Sequence, residues 1–438
     1  MSTWSVKELQ EWDDKICEIA GNYGLDWFDI HYEIIDYHEM IGAMAYTGLP
    51  THYRHWSFGK AYERTHTLYN AGLQGLPYEM IINSNPSIAY LMRENPRQTH
   101  ILTMAHCIGH SDFFKNNRTF FSTKPDLVIS KFKAAGNYVK ELIEDPSVGI
   151  NEVEKILDAC HAIKYQIPRY PGIKRATPQE LKQRYIQRIH EDDLGLYEDF
   201  DLEKIPLEHD YNLLAFISEH GRNLTEWQKN LIDIVKENSQ YIVPQALTKI
   251  MNEGWAVLMH EKIVQDLKLP DKYHLPFLKL HNQVVRPHLA TINPYHLGYE
   301  IFKKIEEKDG FEECLLAREI HNDVTFIRKH LDQKLCEDLN LFSYSHKPDR
   351  KYTTVDEISD MVGWEKIRDS LIKTIGLNSV PIIYVEELEK DHTLVLRHEH
   401  DGRDLDIKYA KRVFEYVKSL WGDDIKLFTI LENELWEF

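Results

Sequence analysis

Two imidazoles four residues apart on a helix can grip one metal ion, and Ala105-His106-Cys107-Ile108-Gly109-His110 offers that spacing. Positions i and i+4 share a helix face, so His106 and His110 point the same way. The pair alone constrains little among 23 histidines, since hydrogen-bonded core residues fit the same spacing. A second segment adds a carboxylate. In Met251-Asn-Glu-Gly-Trp-Ala256, Glu253 stands seven residues before His260, two helical turns away and hence on the same face. Two histidines and a carboxylate are the donor set of a catalytic zinc, with the fourth position left for water. The expected metal ligands are His106, His110, Glu253 and His260, the last as a fourth ligand or as a group that stabilises an oxyanion.

A water on such an ion needs a carboxylate within hydrogen-bond reach to take its proton. In zincin peptidases, H-E-x-x-H supplies that Glu beside the first histidine; here the position is Cys107. Glu79 in Tyr-Glu-Met and Glu39 in His-Glu-Met are the candidate bases, both among apolar neighbours whose burial would raise a carboxyl pKa. The stretch around Glu253 resembles the W-L-N-E-G-F-A segment of gluzincin aminopeptidases, which implies that Glu253 is a third zinc ligand brought by a separate helix. The gap between the two halves is much longer here than in those enzymes. Asp158 with His161, at i and i+3, and His281 are further candidates, and would allow a second ion as in di-metal helical bundles. The plainer reading is that His161 closes a helix face beside Cys160.

Other chemistries lack their motifs. His55-Trp-Ser-Phe-Gly-Lys60 has one glycine where a phosphate loop needs two, and neither a G-x-S-x-G elbow nor a G-x-G-x-x-G turn follows a strand. Acidic residues exceed basic ones by 70 to 52, a formal charge of -18 that repels nucleic acid and anionic lipid. The basic residues between Arg169 and Arg188 alternate with Glu and Gln, as on a solvated helix face. Five scattered cysteines without C-x-x-C spacing indicate neither a disulfide framework nor a zinc ribbon. With no apolar leader and no apolar run near the roughly 20 residues of a membrane span, a cytoplasmic protein with protein partners is expected.

The elements that must position these residues are mainly helical. Ser5 caps a first amphipathic helix carrying Leu9, Trp12, Ile16 and Ile19, which should stop near Gly21 and Gly24. Glycines and prolines punctuate Tyr46 to Pro86, with one strand at Tyr78 to Ile82. Helical spacing runs from Pro86 to His110 and again from Val153 to Lys164. The expected organisation is an N-terminal helical domain over 1–165, a polar connecting segment over 166–212, and a second helical block over 213–345 that completes the body. A composition change after Pro348 then marks a small α/β domain over 346–438. In that domain Val380 to Val385, Thr393 to Arg397 and Ile425 to Leu431 read as strands, and Tyr409 to Trp421 as a helix. The fold class is mainly α, a large helical body of possibly zincin-like form, with that small C-terminal α/β unit.

Longer phrases carry a family resemblance. His55-Trp-Ser-Phe-Gly-Lys60, Tyr78-Glu-Met80 into Asn83-Ser-Asn-Pro86, Ala89-Tyr-Leu-Met92, Phe113-Phe-Lys-Asn-Asn117, Met251 to Ala256, and Ile292-Asn-Pro-Tyr295 with Leu297-Gly298 match the SpoVR family, stage V sporulation protein R. Leu394-Val-Leu-Arg397, Asp404-Leu-Asp406 and Leu420-Trp-Gly422 resemble its C-terminal part. The resemblance implies a bacterial cytosolic protein, linked in spore formers to assembly of the spore cortex and found also in bacteria that do not sporulate. On the family pattern the functional positions are His106, His110, Glu253 and His260, with His55, Glu79, His161 and His281 behind them. No reaction follows from the resemblance, so three classes stay open: a zinc-dependent hydrolase of an amide or peptide bond, a non-catalytic scaffold that binds partner proteins, and a di-metal redox protein.

Overall fold

The computed structural model describes residues 4–170, 176–191, 201–288, 291–346 and 353–438. Parts of the expected connecting segment over 166–212, and the composition change at Pro348, lie outside the described residues. Helices dominate, as the periodicity implies. The described chain divides into two compact units, one from 1–136 with 244–379 and the other from 137–243 with 380–438. Each unit draws on two separated stretches, whereas the sequence-based segments are contiguous. Hydrophobic periodicity reports which face of a helix is buried and not which distant helix it is buried against, so it cannot reveal such a division.

In the first unit the helix Val6–Asn22 opens on a capping box in which Ser5 and Glu8 satisfy each other's backbone N–H groups. A three-stranded sheet follows. Its central strand, Ser87–Met92, pairs parallel with Ile30–Ile35 and antiparallel with Glu79–Ile82, in a register that sets Glu79 opposite Leu91. The helix expected from Pro86 therefore begins only at Arg97; Ser87–Met92 is a strand. A short run buried on both faces has no period-two alternation, which is why it reads as readily as the start of a core helix.

The helices Arg97–Asn116 and Lys249–Asp266 form the centre of this unit, and Pro294–Asp309 packs on the second of them. Arg97–Asn116 is buried nearly all round, from Thr99 to Phe114, as befits a helix with neighbours on every side. Close approach is built in with small residues. A Cβ on Gly109 would lie 2.7 Å from the Cα of Ala256, and one on Gly254 would lie 2.3 Å from the carbonyl carbon of Gly298. Only glycine allows the backbones to pass so near.

Two buried carboxylates tie this packing down. Asp323 accepts from the N–H groups of Ile250 and Met251, both at 2.9 Å, and so caps Lys249–Asp266 from a different helix. Asp112 accepts from Trp255 Nε1 at 2.9 Å and pairs with Arg318 at 3.2 Å, all three being buried.

Of the α/β domain expected over 346–438, the second unit contains only 380–438; the helix Gly363–Thr374 belongs to the first unit. Strands Ile383–Leu388, Leu394–His398, Ile425–Leu431 and Glu434–Glu437 lie side by side in that order. The central pair is parallel and needs a crossover, which the helix Ile407–Trp421 supplies. Asp406 caps that helix at its start, and Gly422, at φ +82°, ends it in the left-handed conformation. No helix among the described residues is long and apolar enough to cross a membrane.

Candidate metal centre

His106 and His110 project from one face of their helix, and Glu253 reaches them from the neighbouring helix. Each offers one ligand atom, and these atoms lie within 4.8 Å of one another. Glu253 Oε2 is 3.4 Å from His110 Nε2 and 3.7 Å from His106 Nε2. These spacings are long for direct hydrogen bonds. Donors about 2.0–2.2 Å from a shared tetrahedral ion stand roughly 3.3–3.6 Å apart, a range that includes the 3.4 Å spacing and falls just short of the 3.7 Å one. Glu253 Oε2 is buried and has no hydrogen-bond partner among the described residues, as expected of an oxygen reserved for a cation.

The electrostatics agree. Burial raises the carboxyl of Glu253, but the imidazoles of His106 and His110 outweigh it and hold that group well below the usual carboxylate range. Burial opposes charging of His110, yet Glu253 and Asn252 lift its pKa above the ordinary value. The cluster is thus a carboxylate facing two imidazoles.

Glu79, at the start of its strand, is the fourth group on the cluster, with Oε1 3.8 Å from His106 Nε2. Burial raises its carboxyl, and repulsion by Glu253 adds to the shift against the opposing pull of His106 and His110. Tyr295 stacks on His106, with ring centroids 6.2 Å apart. The negative charge of Glu253 and then burial push its hydroxyl far up, so it stays protonated.

His260 stands behind His106. Its Nδ1 lies 3.0 Å from His106 Nδ1 and its Nε2 lies 2.9 Å from His281 Nδ1, so both nitrogens face other rings and neither faces Glu253. His260 therefore backs His106 and is not one of the three groups that converge. Glu39 is not in the cluster: it is exposed and completes a capping box with Asp36, accepting from the Asp36 N–H at 2.9 Å. His55 caps the helix Trp56–Asn70 and lies 2.7 Å from Ser57 Oγ. Asp158 and His161 belong to the other compact unit. Cys107 faces the core, where burial pushes its thiol far up.

Sequence reasoning missed Asn252, whose Oδ1 lies 2.8 Å from His110 Nδ1, as well as Tyr295. Asn252 and Tyr295 sat inside phrases already singled out, where only the carboxylate was weighed as chemistry.

The SpoVR like protein family matches residues 3–380, and the SpoVR-like C-terminal domain matches residues 381–432. The chain belongs to the SpoVR family. It is 33% identical over 474 aligned residues to the "Uncharacterized protein YcgB" of Escherichia coli (strain K12), an alignment that covers 97% of this chain and 92% of that one. No solved structure matches. The SpoVR phrases at Tyr78 to Met80, Met251 to Ala256 and Ile292 to Tyr295 bring Glu79, Asn252, Glu253 and Tyr295 to His106 and His110.

Proposed function

We propose that this SpoVR-family protein is a metal-dependent hydrolase of an amide or peptide bond, acting in the spore-cortex and envelope processes to which the family name points. One observation carries the reading: two imidazole nitrogens and a buried carboxylate oxygen from two helices converge within 4.8 Å. The nitrogen and carboxylate donors favour zinc, with another divalent metal the alternative. When bound, the ion supplies an acidified water and a polarised carbonyl.

The remaining chemistry falls to the chain. Glu79 accepts the proton of the attacking water and delivers it to the leaving amine, a task its raised carboxyl pKa suits. Tyr295 keeps its hydroxyl proton and donates it as a hydrogen bond to the oxygen on which charge develops. That role replaces the one considered for His260, whose nitrogens are both engaged.

Elemental analysis of full-length protein purified without added metal tests the reading. About one zinc per chain is expected, with loss in His106→Ala and Glu253→Ala. No metal in the unaltered protein would leave a scaffold role, and metal retained by both variants would refute the ligand assignment.

A further inference from the structure

The nitrogens behind His106 form a line that ends on a carboxylate. His106 Nδ1 meets His260 Nδ1 at 3.0 Å, and His260 Nε2 meets His281 Nδ1 at 2.9 Å. His281 Nε2 then faces Glu261 Oε1 at 3.9 Å, while the other oxygen of Glu261 accepts from the Tyr299 hydroxyl at 2.6 Å. The three rings are buried, and the Glu261 side chain is 24% exposed.

A neutral imidazole has one N–H and one lone pair, so each ring-to-ring contact needs a donor on one side and an acceptor on the other. Only two arrangements satisfy the whole line. In the first, every N–H points away from the cluster: His106 Nδ1 donates to His260, His260 Nε2 donates to His281, and His281 Nε2–H faces Glu261. His106 Nε2 then turns a lone pair toward Glu253 and Glu79. In the second, all three tautomers reverse, His106 turns an N–H into the cluster, and His281 turns a lone pair toward the carboxylate.

Glu261 decides between them. An ionised carboxylate only accepts, and this one already accepts from Tyr299. At 3.9 Å the contact with His281 is Coulombic rather than a hydrogen bond, but beside a buried ring it attracts an N–H and repels a lone pair.

We infer that Glu261, acting through His281 and His260, is a positioning residue that fixes His106 as the Nδ1–H tautomer and turns its Nε2 lone pair toward the metal-binding cluster. Asn252 does the equivalent for His110 directly. The consequence for metal affinity rests on the hydrolase reading above, whereas the tautomer is a property of the metal-free protein and stands or falls separately.

The experiment uses the full chain carrying 15N-labelled histidine. In the metal-free protein the His106 signals, identified by their loss in His106→Gln, should show Nδ1 protonated and Nε2 bare. His281→Leu removes the acceptor for His260, while His281→Asn restores a carbonyl oxygen at the position of Nδ1. In a chelator competition His281→Leu should weaken zinc binding by about 10–100-fold, and His281→Asn should recover most of it. A purely packing role would weaken both variants alike and overturn the inference. A protonated His106 Nε2 in the unaltered protein would overturn it without any variant. Should the tautomer be as assigned while the protein binds no zinc, the hydrolase reading falls and the positioning line remains.

Discussion

Replacing Gly254 by alanine perturbs the site through its neighbour's backbone. The added methyl would lie 2.3 Å from the carbonyl carbon of Gly298, 2.5 Å from its Cα and 2.6 Å from the nitrogen of Tyr299. All three are main-chain atoms, so no rotamer change relieves the overlap. Carbon atoms rest comfortably at about 3.5–4.0 Å, so the helices Lys249–Asp266 and Pro294–Asp309 must part by roughly 1 Å or more. Overpacking of this kind costs about 1–3 kcal/mol, which leaves a net loss of up to about 2 kcal/mol after the roughly 1 kcal/mol that alanine gains over glycine in a helix. Glu253 is carried on the shifting backbone, and its contacts with His106 and His110 stand at 3.7 and 3.4 Å. A metal site tolerates donor displacements of only about 0.2 Å, so zinc affinity should fall together with stability. The assay pairs denaturant midpoints with zinc competition, using Gly42→Ala and Gly59→Ala as references because nothing lies within 4 Å of a Cβ at either helical position. Those two variants should be unchanged or stabilised by about 0.4–1 kcal/mol. If Gly254→Ala matched them in stability and bound zinc undiminished, close helix passage would not be what sets the cluster.

Two further outcomes follow from buried charge. His100, His321 and His330 are each pushed down to about 4, with burial the first cause in every case. The unfolded chain, with histidines near 6.5, therefore binds more protons between those values. Stability should be full above about pH 6.5 and fall as the pH drops toward about 4, by up to about 3 kcal/mol for the fully buried His100 and by less for the half-buried His321 and His330. Denaturant midpoints across that window should show the slope, and His100→Phe should flatten it; an unchanged slope in that variant would remove His100 from the account. Separately, Arg318→Leu leaves Asp112 buried without its partner and should cost about 3–5 kcal/mol. Adding Asp112→Asn should restore part of that loss, as read from urea midpoints, and no restoration would mean that the guanidinium acts by packing on Trp255 rather than by charge.

The pieces of the site were legible one at a time. The spacing of His106 and His110, the carboxylate in Met251 to Ala256, and the two turns from Glu253 to His260 are local facts that helix geometry turns into shared faces. Their meeting was not legible, because it depends on glycines at 109, 254 and 298 that look like ordinary helix interruptions until the opposing backbones are known. Glu39 illustrates the reverse case. Asp36 and Glu39 have the spacing of a capping box, and that local role accounts for the carboxylate more simply than catalysis does. Ser87–Met92 was misread because burial on both faces erases the alternation that marks a strand. The C-terminal domain, with alternating strands and a strongly amphipathic helix, kept its signals and matched residue by residue at Ile425–Leu431.

His110 and Asn252 touch across 142 residues of intervening chain. At ribosomal speeds of about 5–20 residues per second, roughly 7–28 s separate the emergence of the two. During that interval the histidine pair exists without its carboxylate, on a helix made to be covered on all sides. A nascent chain can therefore neither assemble the cluster nor hide that helix until the later segment arrives, and a truncation between residues 117 and 252 would leave the histidine pair without Glu253 and an apolar helix without its cover.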